Sequence, residues 1–251
     1  MKRLASTMSF CQLLILLLPS CGAPQSTSSQ PWAALQVQKV DSTYISIADL
    51  SQENLTPVIS QPDSATTTFQ FTKGKNLQFG INASFFDSRS RAFGATVSDG
   101  KSWSQTYYDS ESQVPSMGLF SCRRSGGWRC GINFDYRNAA NNLDGLDLAF
   151  TGYIHLVKNG QIVTQDRSST RARTAIGVSK DGRKVIVVSV PEGANPDATY
   201  VKVAESLLAA GAYHGINLDG GGSTALVVKN AGSFAEKIAS TRSPPVNFGF
   251  K

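Results

Sequence analysis

The sequence predicts an α+β fold, a strand-rich single domain with a mixed, mainly antiparallel sheet and few helices. Most apolar residues fall in short, loosely alternating runs. Two turns that end in glycine, Lys158-Asn159-Gly160 and Lys180-Asp181-Gly182, sit beside such runs as hairpin signals. Clear helical periodicity occurs once, late in the chain.

Taken in order, Ala34 to Val40 and Tyr44 to Ile47 read as strands, and a short helix is expected around Ala48 to Leu55. Thr67 to Phe71 alternates and reads as a strand, and Leu77 to Ile81 is a strand that delivers Asn82. Tyr153 to Val157 runs into the first hairpin turn, while Arg173 to Val178 and Lys184 to Val190 flank the second. Val185-Ile186-Val187-Val188 shows no polar alternation, which predicts a strand covered on both faces. The helix has Tyr200, Val203, Ala204, Leu207 and Leu208 on one face, Asp197 or Thr199 as its cap and Gly211 as its stop. Ala225 to Val228 resumes as a strand.

A chain of 251 residues is long enough for one sizeable core. Its 41% hydrophobic and 17% charged content excludes a disordered chain and a membrane-spanning one. The net charge of +6 fits an anionic substrate or an envelope surface. No nucleic-acid-binding signature accompanies it, so no nucleic-acid partner is expected. Lys2 and Arg3 precede the apolar run Leu13 to Leu18, and Leu18-Pro19-Ser20-Cys21 follows. That pattern predicts an export signal over residues 1–20 of the lipoprotein type, with lipidation of Cys21. Residues 21–31 are then a polar tether and 32–251 the folded domain. The expected location is the periplasm or the outer membrane, with membrane contact only through the lipid. Of the remaining cysteines, Cys122 and Cys130 bracket Ser125-Gly126-Gly127, so two strands around that turn would face the thiols and an oxidising compartment would join them as a disulfide.

The stretch Asn217-Leu218-Asp219-Gly220-Gly221-Gly222-Ser223-Thr224 carries the chemistry. Consecutive glycines let amide groups converge on one point, and an acid and two hydroxyls flank them. The run is no nucleotide loop, because no lysine precedes its hydroxyls and a strand follows it. It is no serine-hydrolase elbow, because both histidines, His155 and His214, precede Ser223. Two histidines cannot make a three-histidine zinc site, and neither a metal nor another cofactor is expected. What remains is carboxylate, arginine and amide chemistry. Asp219 is the best single acid, and Arg173 and Arg242 are the candidate anion ligands. Asn82 precedes the aromatic pair Phe85-Phe86, which suits a sugar face or is simply core.

These pieces fall in a recognisable order. Asn82-Ala83-Ser84-Phe85-Phe86 is followed by Gly94, Ser98-Asp99-Gly100-Lys101 and Leu156-Val157-Lys158-Asn159-Gly160. Arg173-Thr174-Ala175-Ile176-Gly177, the glycine run, and Arg242 ahead of Val246-Asn247 complete it. Over residues 75–251 the chain thereby resembles the phosphodiester glycosidase family. The resemblance implies hydrolysis of a sugar joined through its anomeric carbon to a phosphodiester, so the expected partner is a glycan or sugar-phosphate substrate. It implies Asp219, Arg173 and Arg242 as catalytic residues. It places Asn82, Asn217, Gly220, Gly221, Gly222 and Ser223 in the pocket with them, and the neighbouring Phe86, Thr174 and Thr224 are candidate substrate-binding residues by position. Ala83 and Ser84 depart from the family pattern, which often has glycine there. Phosphate is a good leaving group, so the site needs positive charge on it and a carboxylate near the anomeric centre. Asp219 could stabilise that centre or act as nucleophile or base, with Asp87 or Glu192 as its partner. A non-catalytic module that binds phosphoglycan or peptidoglycan is the alternative. A metal-dependent phosphodiesterase built on Asp219, Asp87 and Asp99 is a third reading.

Overall fold

Seventeen strands and three short α-helices follow one another along the described part of the chain. The computed structural model describes residues 34–52, 54–62, 65–103, 111–168 and 170–251. The expected export signal, the expected lipidation site Cys21 and the expected tether lie outside them. In order, the elements are β1 (Leu35–Val40), β2 (Thr43–Asp49), β3 (Pro57–Ile59), α1 (Thr68–Gly74), β4 (Phe79–Asn82), β5 (Val97–Ser98), β6 (Lys101–Ser102), β7 (Met117–Arg124) and β8 (Trp128–Asn133). There follow α2 (Tyr136–Asn141), β9 (Leu148–Tyr153), β10 (His155–Lys158), β11 (Gln161–Ile162), β12 (Arg173–Val178), β13 (Lys184–Val190) and α3 (Tyr200–Ala209). The chain ends with β14 (His214–Asn217), β15 (Leu226–Asn230), β16 (Ser233–Ile238) and β17 (Asn247–Phe250).

The strands form three sheets: β1-β2-β13-β12-β14-β10-β11, β16-β15-β4-β17-β3 and β6-β5-β9-β7-β8. Every described ladder is antiparallel, in line with the mainly antiparallel sheet expected and without its parallel part. The α3 crossover shows why. It carries the chain from β13 to β14, but both pair antiparallel with β12 between them, so the crossover yields no parallel ladder.

The seven-stranded sheet separates two cores, as the Val185–Val188 run predicts. Val185 and Val187 join Ile176, Val178, Phe120 and Phe150 on one face. Ile186, Val188 and Val190 join Val203, Ala204 and Leu207 of α3 on the other. A third cluster packs α2 against β5, β7 and β9. Thr199 caps α3 through Lys202 N, and Gly211 ends it in the left-handed region. Cys122 and Cys130 are directly opposed on β7 and β8 and form a disulfide.

Two local expectations are corrected. Ala48 and Asp49 end β2, and the chain then turns, because Asp49 Oδ1 accepts from Ser51 N and Oγ and Leu50 N bonds Arg183 O. Thr67 to Phe71 starts a helix and not a strand. Thr67 accepts from Gln70 N while Gln70 reaches back to Thr67 N, a capping box that outweighs the alternation.

Gly94 lies where β5 approaches α2 and β9. Its φ is +79°, and a Cβ there would overlap Thr151 Oγ1 and Tyr136 Oη. Tyr136 Oη is already committed, accepting from Ala95 N at 2.8 Å. Gly94→Ala is expected to destabilise the fold by about 2–4 kcal/mol in urea unfolding, combining overpacking with a strained backbone. A change under about 0.5 kcal/mol would contradict this packing account.

Candidate active site

The ends of two sheets meet at the glycine run. On the seven-stranded sheet, Ala175 of β12 pairs with Asn217 of β14, so the start of β12 and the end of β14 lie side by side. Arg173 and Asp219 therefore emerge at the same edge. Asn82, the last residue of β4, comes up beside them from the second sheet, paired there with Asn247 of β17.

Asn82 is fully buried and acts as a three-way clamp. Its Nδ2 donates to Asp219 O at 2.7 Å, and its Oδ1 accepts from Thr174 Oγ1 at 2.7 Å and Ala225 N at 3.0 Å. The backbone adds Leu218 N to Thr174 O and Asp219 N to Ala83 O. Asn217 is buried too, with Nδ2 on Leu218 O. Asn82, Thr174 and Asn217 thus form the floor that holds the loop, one layer below the surface.

The loop itself spends most of its amides internally. Gly220 N bonds the Asp219 carboxylate at 2.9 Å, and Gly221 N bonds Ala172 O at 2.8 Å. Ser223 N and Thr224 N bond Gly220 O and Gly221 O in a short 3-10 turn. Gly222 N is left without a partner among the described residues. Gly221 takes φ +56° with open space where a Cβ would be, so the run presents bare backbone outward at this point. The three glycines therefore build a tight loop with one donor to spare.

Asp219 is 7% exposed. Burial pushes its carboxyl above the ordinary value. The nearby Ser223 hydroxyl, the Gly220 amide and the Arg242 charge oppose that shift without cancelling it. Ser223 Oγ lies close enough to influence the carboxylate, yet it has no partner that meets hydrogen-bond geometry. Ser84 Oγ, Asn217 Oδ1 and Thr224 Oγ1 are likewise buried without partners. Buried polar atoms of this kind ordinarily take a partner, so these four are open to a water or a ligand at the loop.

Two arginines border the loop. Arg173 is buried, with its guanidinium 4.2 Å from the centre of the Tyr200 ring and its Nε 3.2 Å from Ala198 O. Its Nη1 lies 3.3 Å from where a Gly220 Cβ would stand. Burial raises the Tyr200 phenol and the neighbouring Arg173 charge opposes that rise. Arg242 is exposed, its guanidinium 4.9 Å from the Phe86 ring centre and its stem against Gly222. Thr241 N bonds Gly222 O and seats this segment on the loop. Arg173 and the buried Asp219 thus lie against Gly220, and Arg242 with Phe86 lies beside Gly222, all bordering one loop.

Other candidates lie elsewhere. The Asp87 carboxylate is closed on its own turn, accepting from Arg89 N, Arg91 N and Arg91 Nε. Glu192 Oε2 accepts from Ala172 N, the residue before Arg173, and is the nearer acid in the backbone network. Asp99 sits in an exposed turn, and no group of three His, Cys, Asp or Glu among the described residues could hold a metal ion. His214 lies at the opposite end of β14 and meets Tyr213 and Phe134 edge to face. Tyr200 was legible only as part of the apolar helix face. Nothing in the sequence tells that its ring carries Arg173.

A model of the family described as phosphodiester glycosidase matches residues 75–250. The fold is similar to the zebrafish N-acetylglucosamine-1-phosphodiester alpha-N-acetylglucosaminidase catalytic domain auto-inhibited by pro-peptide. That match has a TM-score of 0.62 at 18% identity and covers 89% of this chain and 84% of that one. It is also similar to a Burkholderia pseudomallei protein described as exported, with a TM-score of 0.57, 13% identity and 83% and 73% of the two chains covered. A hypothetical protein from Synechocystis matches with a TM-score of 0.50 at 14% identity over 86% of this chain and 61% of its own. No curated protein shows significant sequence similarity to the chain.

Proposed function

The chain belongs to the phosphodiester glycosidase family, and from that membership we propose that it hydrolyses a glycosyl phosphodiester in an envelope or extracellular glycan. The observation that carries this reading is the buried Asp219 carboxylate on a bare glycine loop, with the Arg242 charge acting on it and Arg173 packed against Gly220. The arrangement fits the reaction's charge flow. As the bond from the anomeric carbon to the phosphate oxygen breaks, the electron pair leaves with the phosphate and positive charge develops on the sugar. Arg242, exposed at the rim, and Gly222 N can receive the phosphate oxygens. Asp219 faces the sugar carbon as its electrostatic partner or nucleophile, and water completes the hydrolysis. Arg173, fixed on Tyr200, holds positive potential behind Gly220. Phe86, backed by Arg242, offers a ring face to the sugar.

We further propose export, on the disulfide together with residues 1–20, and a lipid anchor at Cys21, on sequence alone. No helix among the described residues is long and apolar enough to cross a membrane.

The test is product identity. With an N-acetylglucosamine-1-phosphodiester, the sugar named for the zebrafish relative, the full chain is expected to release free sugar and a phosphate monoester. Release of sugar phosphate would move cleavage to the phosphorus side. Tight binding without turnover across a panel of glycosyl phosphodiesters would make the protein a binding module.

A further inference from the structure

The residue types at the far end of the seven-stranded sheet point to a second site. A cavity of about 580 Å³ lies there, lined by Arg124, Trp128, Arg129, Arg183, Ser51 and Gln52, among others. Lys184 pairs with Asp49 at this end, whereas Arg173 pairs with Val190 at the other. At about 3.3 Å per residue over the six steps of β13, the cavity stands about 20 Å from the Asp219 edge.

Strand geometry explains why these side chains meet. Arg124 and Trp128 are directly opposed on β7 and β8. They sit two residues beyond the Cys122–Cys130 bridge and on the same face of the sheet, because side chains alternate with a period of two. The disulfide closes the hairpin beside them. Trp128 is half-buried and packs on the core, so its ring is a fixed wall. Arg183 leaves the turn before β13, and Gly182 lies so close to Cys130 O that no side chain fits between turn and hairpin. Arg129 Nη1 donates to Asp181 O, tying the same two segments together.

Arg124 and Arg183 are exposed on this cavity and Arg129 is tied to Asp181 O, a local excess of positive charge that favours an anion. The carboxylates among the described residues here are turned to other work. Asp49 bonds Ser51 N and Oγ, Asp147 bonds Arg124 N, and Asp181 bonds Ser179 Oγ and Arg183 N. Asp181 feels the Arg183 charge, yet none of the three arginines forms an ion pair among the described residues.

We infer that this cavity binds a phosphorylated saccharide, the arginines taking the phosphate and the Trp128 ring stacking on a sugar. Guanidinium groups match phosphate oxygens in paired hydrogen bonds. A volume in this range suits a ligand of one to two sugar units. The site deepens the hydrolase reading above, since it would hold a phosphorylated glycan about 20 Å from the bond being cut. Binding there needs no turnover, so the two stand or fall separately.

The probe is glucose 6-phosphate, one sugar unit whose phosphate is a monoester away from the anomeric carbon, titrated calorimetrically into the full chain. The double variant Arg124→Ala/Arg183→Ala is expected to weaken binding by at least about 10-fold and Trp128→Ala by about 5–30-fold, given charge-assisted and stacking contacts of ordinary strength. Both should leave hydrolysis of a small glycosyl phosphodiester unchanged. Arg242→Ala should do the reverse. Equal affinity in the Arg124/Arg183 variant, loss of probe binding in Arg242→Ala alone, or binding only to phosphatidylglycerol vesicles would each overturn the proposal. Absence of hydrolysis in the parent, with probe binding intact and sensitive to Arg124 and Arg183, would overturn the hydrolase reading and leave this site standing.

Discussion

Asp219→Asn is expected to lower kcat/KM for a glycosyl phosphodiester by about 10³-fold or more while leaving the protein folded and at least as stable. The substitution keeps the shape of the side chain and its acceptor oxygen for Gly220 N, 2.9 Å away, and removes only the charge. Burial holds the folded carboxyl above its ordinary 3.8, so the folded state binds the proton more tightly than the unfolded one. An acid shifted in that direction destabilises the fold at pH above its folded pKa and has no such effect below 3.8. The asparagine variant should therefore match or exceed the parent's Tm near neutrality, and the gain should shrink as pH falls toward 3.8. The same shift predicts that the acid limb of the kcat/KM profile lies above the usual carboxylate range. More than a tenth of parental activity in the variant, or an acid limb at the ordinary value, would remove Asp219 from the chemistry.

Strands with strong local signals were legible in the sequence. The Asn159-Gly160 and Asp181-Gly182 turns appear as hairpins because residues at positive φ are needed there, and the chain supplies them. The Val185–Val188 run shows on its own that both faces are covered. Thr67 to Phe71 misleads because its alternation is real, and one capping box decides the outcome. The all-antiparallel order was hidden, since nothing local says that β12 will insert between β13 and β14.

The site divides in the same way. Asp219, Arg173 and Arg242 stand out by residue type, and the ends of β12 and β14 bring the first two to one edge. Their surroundings depend on contacts distant in sequence. Arg173 lies on Tyr200, Arg242 on Phe86, and Asn82 reaches across 137 residues to Asp219. The glycine run suggests a nest of free amides, whereas the folded loop turns its amides inward except at Gly222.

Asn82→Ala is expected to cost about 3–5 kcal/mol, the largest effect on stability among the site residues, although the side chain is fully buried beneath the reacting surface. Truncation strands three partners at once, the Asp219 carbonyl, the Thr174 hydroxyl and the Ala225 amide, all on buried residues. Each stranded group costs about 1–3 kcal/mol, and the loss should appear as a Tm lower by roughly 8–16 °C. The clamp also fixes the backbone of the catalytic acid, so protein that is still folded should lose activity as well. Its kcat should fall more than its KM rises, because the misplaced group acts in the transition state. Asn82→Asp separates the two roles. It keeps the acceptor for Thr174 and Ala225 but turns a carboxylate oxygen toward the Asp219 carbonyl, so it should be destabilised increasingly as pH rises through its titration. A Tm within about 2 °C of the parent for Asn82→Ala would show that the three-way bond is dispensable.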